Sequence, residues 1–246
     1  MKAVDRVDKL KQILEKKILV VDGAMGTFIQ TMDLSADDFG GSQYEGCNEY
    51  LNLTNPAIIR SIHSQYLEAG ADVIETNSFG STPLVLEEYG LGDKSYEISR
   101  AAAVLAREAA VLFENSGKTI FVAGSMGPTT KAISVTGGVT WDELAGHYYT
   151  QAKGLVDGGV DLLLLETCQD TLNVKAGLAG IDKVCEEVGF EVPVAIQCTI
   201  ESMGTMLGGQ DIEAFYSSLA HRNLAWIGMN CATGPEFMRD HLRTVS

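Results

Sequence analysis

Six short apolar runs punctuate the chain: ILVV at 18–21, ADVIE at 71–75, TIFVAG at 119–124, DLLLLE at 161–166, PVAIQC at 193–198 and LAWIGM at 224–229. They are continuous rather than alternating, the pattern of parallel strands covered on both faces. Between them, apolar residues recur at helical spacing. The stretch 55–71 places Pro56 where a first-turn proline is tolerated. The alanine-rich stretch 96–117 closes on Gly117, a residue suited to a helix stop. In 140–159, Thr140 stands three residues before Glu143, the spacing of a capping box. Stretches 170–189 and 211–223 complete the set, and Pro235 opens the start of another helix.

Strand and helix alternate six times with no linker and no shift in composition, which predicts βα units in one parallel sheet and one domain over 1–246 without an internal boundary. Two architectures compete. A doubly wound sheet would carry a phosphate fingerprint after its first strand, but DGAMGT lacks the GxGxxG spacing. A (β/α)8 barrel needs eight units where six are counted. The polar connection between Gln30 and Asn55 is longer than usual and predicts an excursion over the face that carries the chemistry.

Charge and composition narrow the partners. A net charge of −15 is the wrong sign for a surface that neutralises phosphates, which argues against nucleic acid and against an anionic membrane. No apolar run approaches the roughly 20 residues that span a bilayer, and the charged start has no apolar core of a signal peptide. Five cysteines without CxxC spacing predict reduced thiols and a cytoplasmic setting.

Every apolar run ends in polar residues. In order these are Asp22 with Gly23; Glu75, Thr76 and Asn77; Gly124 and Ser125; Glu166 and Thr167; Gln197, Cys198 and Thr199; Asn230 and Cys231. In a barrel such ends converge on one mouth. Each has a plainer reading. Asp22 before glycine is ordinary turn chemistry, and Thr76 and Asn77 satisfy loop amides. Glu166 follows four leucines and needs hydrogen-bond partners or a cationic substrate group. Cys231, at a strand tip before a Gly-Pro break, is a nucleophile or a metal ligand. All four histidines fall in helical patterns, which disfavours a Cys-His pair.

Five motifs in one order, VVDGAMGTFIQ (20–30), GADVIETNSFGST (70–82), GSMGP (124–128), GGVDLLLLETCQDTLNVKAGL (158–178) and GMNCATGP (228–235), resemble the homocysteine S-methyltransferase family over essentially the whole chain. The second and fourth motifs resemble its cobalamin-dependent branch. The resemblance implies a (β/α)8 TIM barrel whose carboxyl face holds zinc by three cysteines, with homocysteine's thiol as fourth ligand and methyl acceptor, giving methionine. Zinc coordination strips a thiol of its proton, so the metal would generate the nucleophile. Carried over, Cys231 matches the first zinc ligand, and the same match makes it the catalytic residue. Asp22 and Glu166 match acidic positions near the substrate's ammonium group, and the backbone of Gly23, Ala24, Met25 and Gly26 would take its carboxylate. Thr76, Asn77 and Asn230 complete the implied substrate site.

The sequence departs from the family in one respect. The remaining zinc ligands come as a Cys-Cys pair in a GGCCG motif, and this chain has no Cys-Cys. The expectation is a barrel truncated after about six βα units, with two zinc ligands outside it. Methylcobalamin would be the methyl donor, through cobalamin and folate domains of a longer chain. The alternative is an incompetent fragment or split-barrel subunit that binds an amino acid or a partner without metal.

Overall fold

The computed structural model describes residues 3–114 and 117–245. Its elements, in chain order, are α1 Ala3–Leu14, α2 Met25–Gln30, α3 Leu51–Thr54, α4 Pro56–Ala69, β1 Val73–Glu75, α5 Pro83–Leu86, α6 Ser95–Glu114, β2 Phe121–Met126, α7 Trp141–Gly158, β3 Leu162–Cys168, α8 Thr171–Val188, β4 Val194–Cys198, α9 Ile212–Leu219, β5 Trp226–Met229 and α10 Pro235–Val245. The capping box forms as the spacing predicts: the Glu143 amide donates to the Thr140 hydroxyl, and the Glu143 carboxylate accepts from the Thr140 amide. The side chains of Asp170 and Asp211 cap α8 and α9 by accepting the Leu172 and Ala214 amides.

The five strands are all parallel and neighbour one another in sequence order, β1-β2-β3-β4-β5. That order decides between the two architectures. A doubly wound sheet reverses strand order and carries helices on both faces. Here alternate strand residues divide between two layers. Ile74, Val122, Leu163, Leu165 and Ile196 pack among the connecting helices. Val73, Phe121, Ala123, Leu162, Leu164 and Ala195 face the opposite, inner side, where Leu10 of α1 joins them. Helices outside and strand side chains inside make an arc of barrel wall.

α1 closes the amino-terminal end of this arc. Arg6 reaches Asp161, just before β3, with Nε 2.6 Å from Oδ1, and it donates to the Ile120 carbonyl as well. Glu114 and Arg107 complete the network, the latter 2.6 Å from Asp161. With that end plugged by ion pairs and apolar side chains, the carboxyl ends of the strands remain open for chemistry.

The first apolar run differs from the sequence expectation. Residues 18–21 form no strand, and Val21 makes a single parallel bridge to Val73. The reason is local: the Val20 amide donates to the Asp72 carboxylate at 3.1 Å, which removes it from any ladder. Five strands and a bridge therefore stand where six strands are predicted. Among the described residues β5 pairs only with β4, so the arc has two free edges.

Candidate functional site

Parity along the strands builds the site. Glu75 lies two residues beyond Val73 and Glu166 two beyond Leu164, so both carboxylates share the inner face, above the α1 plug. Asp22 follows the bridge residue Val21, and its amide donates to the Val73 carbonyl at 2.9 Å. Its carboxylate accepts the Glu75 amide at 3.0 and 3.1 Å. Burial, aided by the Glu166 charge, pushes Asp22 up to about 8 despite that bond. Glu75 is held well above the usual carboxylate range by burial, then by Glu166 and Asp22. Burial also raises Glu166, against the bonds it accepts from Ser125 and Asn230. The Tyr66 hydroxyl, 3.4 Å from the Ala24 carbonyl, is raised by burial and by Asp22 and Glu75. Among the described residues, no lysine, arginine or histidine charge acts on the three carboxylates.

Asn230 ties two strand ends together across β4. Its Nδ2 donates to Glu166 Oε2 at 2.9 Å and to Thr167 Oγ1 at 3.0 Å, and its Oδ1 accepts the Thr167 amide at 2.8 Å. The Thr167 hydroxyl in turn stands 3.5 Å from Cys231 Sγ. Ser125 Oγ donates to Glu166 Oε1 at 2.5 Å, so each Glu166 oxygen has a donor. Thr167, Cys231 and Ala232 all have positive φ, at 54°, 60° and 53°. For a β-branched residue such as Thr167 that conformation is strained, and strain of this kind gathers at functional sites. The pairing of β3 with β4 shifts register between Leu165 and Cys168, at this residue. Cys231 is exposed, whereas Cys47, Cys168 and Cys198 are buried and Cys185 is half-buried. Burial pushes Cys47 and Cys198 up to about 12, which keeps both as thiols.

The other residues implied by the resemblance are placed differently. The Thr76 hydroxyl accepts the Ser125 amide at 3.0 Å and pairs with Ser78 at 2.6 Å, so it braces the wall behind Glu166. Asn77 donates to the Asn48 carbonyl at 2.8 Å, while Asn52 donates to the Asn77 carbonyl at 2.7 Å. These bonds dock the long connection against the end of β1. In the turn of Gly23, Ala24, Met25 and Gly26, none of the four amides donates within the described residues. A Cβ on Gly23 would come 3.1 Å from the Tyr66 hydroxyl, so Tyr66 stands close over this turn. Glu75, Ser125 and Thr167 stand among the polar strand ends that the sequence picks out, without a role assigned there; nothing in the pattern of α4 points to Tyr66.

The chain matches the homocysteine S-methyltransferase family over residues 19–246. It belongs to that family. Methionine synthases of Mycobacterium leprae and Mycobacterium tuberculosis are 41% and 40% identical to it over 237 residues, 96% of this chain. The chain spans about a fifth of their length, 19% and 20%. The metallated form of the homocysteine methyltransferase MmuM from Escherichia coli shares the fold, with a TM-score of 0.79 at 22% identity over 96% of this chain and 82% of that one. Its apo form gives 0.72 over 94% and 79%. The family's fold is the TIM barrel, of which the sequential arc described above is a part. Among the described residues no group of three His, Cys, Asp or Glu side chains stands where a metal would be held, and no helix is long and apolar enough to cross a membrane.

Proposed function

We propose that this chain is the homocysteine-binding module of a longer methionine synthase and presents the substrate thiol beside Cys231 for methylation to methionine. The observation that carries this reading is the cluster of Asp22, Glu75 and Glu166. Three carboxylates act on one another at the mouth with no cation among the described residues acting on them, and Glu166 is linked through Asn230 and Thr167 to an exposed thiol. Such a cluster is costly to bury unless a positive ligand enters it. The ammonium group of an amino acid supplies that charge. The unengaged amides of Gly23, Ala24, Met25 and Gly26 suit its carboxylate, and the side chain then runs toward Cys231. Asn230 serves this site through Glu166 and Thr167. Thr76 and Asn77 hold its wall, since their polar side-chain atoms are committed to Ser125, Ser78, Asn48 and Asn52.

Zinc belongs to this reading only in part. A catalytic zinc takes three protein ligands and keeps a position for the substrate. Cys231 supplies one, and the described residues supply no others around it. The residues present therefore do not fit the metal by themselves. A methyl donor such as methylcobalamin would arrive on further domains, for which relatives about five times as long have room.

Calorimetric titration with L-homocysteine and with 4-sulfanylbutanoate, the same molecule without its amino group, tests the reading. Homocysteine is expected to bind. Loss of the ammonium is expected to weaken binding about a hundredfold, the equivalent of about 2.8 kcal/mol. Equal affinities for the two compounds, or no binding of homocysteine, would overturn it.

A further inference from the structure

We propose that Glu75 is the third ligand of the ammonium group and that the pocket sheds a proton to solvent when a cationic amino acid enters. The proposal deepens the reading above and rests on it. Glu75 occupies the inner face of β1, one residue pair above the apolar layer of Val73 and Phe121. Opposite it on β2 is Ala123, whose methyl group leaves room beside the carboxylate. Its own backbone amide donates to the Asp22 carboxylate, which holds that acid at the end of β1. Unlike Glu166, whose oxygens take Ser125 and Asn230, the Glu75 carboxylate accepts no hydrogen bond among the described residues. It is thus the acid of the three with its bonding capacity left over.

Buried carboxylates that repel one another do not all ionise without a counter-charge, and Asp22 and Glu166 both act on Glu75 in this way. The groups that face Glu75 are Asp22 from the turn after Val21, Glu166 from β3 and the Tyr66 hydroxyl from α4; none is a cation. Asp22, raised to about 8, accordingly keeps its proton near neutrality when no cation faces the cluster. An arriving ammonium favours the ionised forms, so a proton leaves to the buffer as the ligand binds.

The test is titration of the chain with L-homocysteine at pH 7 in phosphate and in Tris, whose ionisation enthalpies differ, for the wild type and Glu75→Gln. The difference in heat between buffers counts protons released. Homocysteine's own thiol contributes alike in both proteins, so any difference belongs to Glu75. The wild type is expected to release more protons than the variant. The variant is expected to bind about tenfold more weakly, the equivalent of about 1.4 kcal/mol. Equal proton counts and equal affinities would overturn the proposal while leaving the homocysteine reading intact. No binding by the wild type would overturn both.

Thermal melts between pH 5 and 8 guard against a folding artefact. A carboxyl group whose folded pKa is raised costs stability as pH climbs above its unfolded value. The wild-type melting temperature is therefore expected to fall across that range, and Glu75→Gln, the isostere of the protonated acid, to fall less. Parallel melting curves for the two proteins would also overturn the proposal.

Discussion

Asn230 acts at the strand tips through the side chains of two neighbours. Its position at a strand tip beside Cys231 made it a candidate to touch substrate, yet its amide is committed to Glu166 and Thr167, in one case 63 positions away in sequence. A hydrogen bond to a charged group is worth about 1.5–3 kcal/mol. Asn230→Ala is therefore expected to weaken homocysteine binding by about tenfold or more by freeing the Glu166 carboxylate. Asn230→Asp is expected to do worse, since it sets a fourth carboxylate against Glu166. Calorimetry on both variants decides the matter, and wild-type affinity in Asn230→Ala would show that the bond does not position Glu166. Asp22, Glu166 and Cys231 were legible as site candidates because each ends an apolar run. The meeting of Asp22 with Glu75 was not, because the bond between them joins a turn to a strand 53 positions on.

At the scale of elements, periodicity located the longer connecting helices to within a few residues, because caps and apolar stripes act over one or two turns, but it missed the short α2, α3 and α5. The stretch 96–117 becomes helix over Ser95–Glu114, and its expected tail at 115–116 lies outside the described residues. How the helices pack was not legible. α6, α7 and α8 approach through glycine notches: a Cβ on Gly154 would sit 2.6 Å from the Tyr96 carbonyl oxygen, and one on Gly180 would sit 2.5 Å from the Ala145 oxygen. Alanine is the better helix former by about 1 kcal/mol, but overpacking against backbone costs about 1–3 kcal/mol. Gly180→Ala is expected to lose stability on balance, read as a lower urea midpoint with unchanged slope. A raised midpoint would mean that α7 and α8 can part without cost. The first apolar run failed as a strand for a reason equally hidden from pattern, the capture of the Val20 amide by Asp72.

For the whole molecule, the free edges matter most. Ile18 is 91% exposed and Val20 57%, along the edge that Val21 begins. Unpaired apolar edges template association, which the net charge of −15 opposes only at low ionic strength. The chain is expected to self-associate as salt and concentration rise, and Val20→Lys to reduce this, as followed by light scattering. A wild type that stays monomeric throughout would show the edge to be harmless. The sequence by itself determined the βα rhythm, the polar strand tips and the family motifs, since each rests on residues a few positions apart. Only the tertiary structure chose an arc over a doubly wound sheet, because strand order is a relation between segments. It alone closed one end of the arc with Arg6 and Asp161, 155 positions apart. It alone placed three acids within one another's electrostatic reach, where burial and mutual repulsion, absent in an extended chain, raise them.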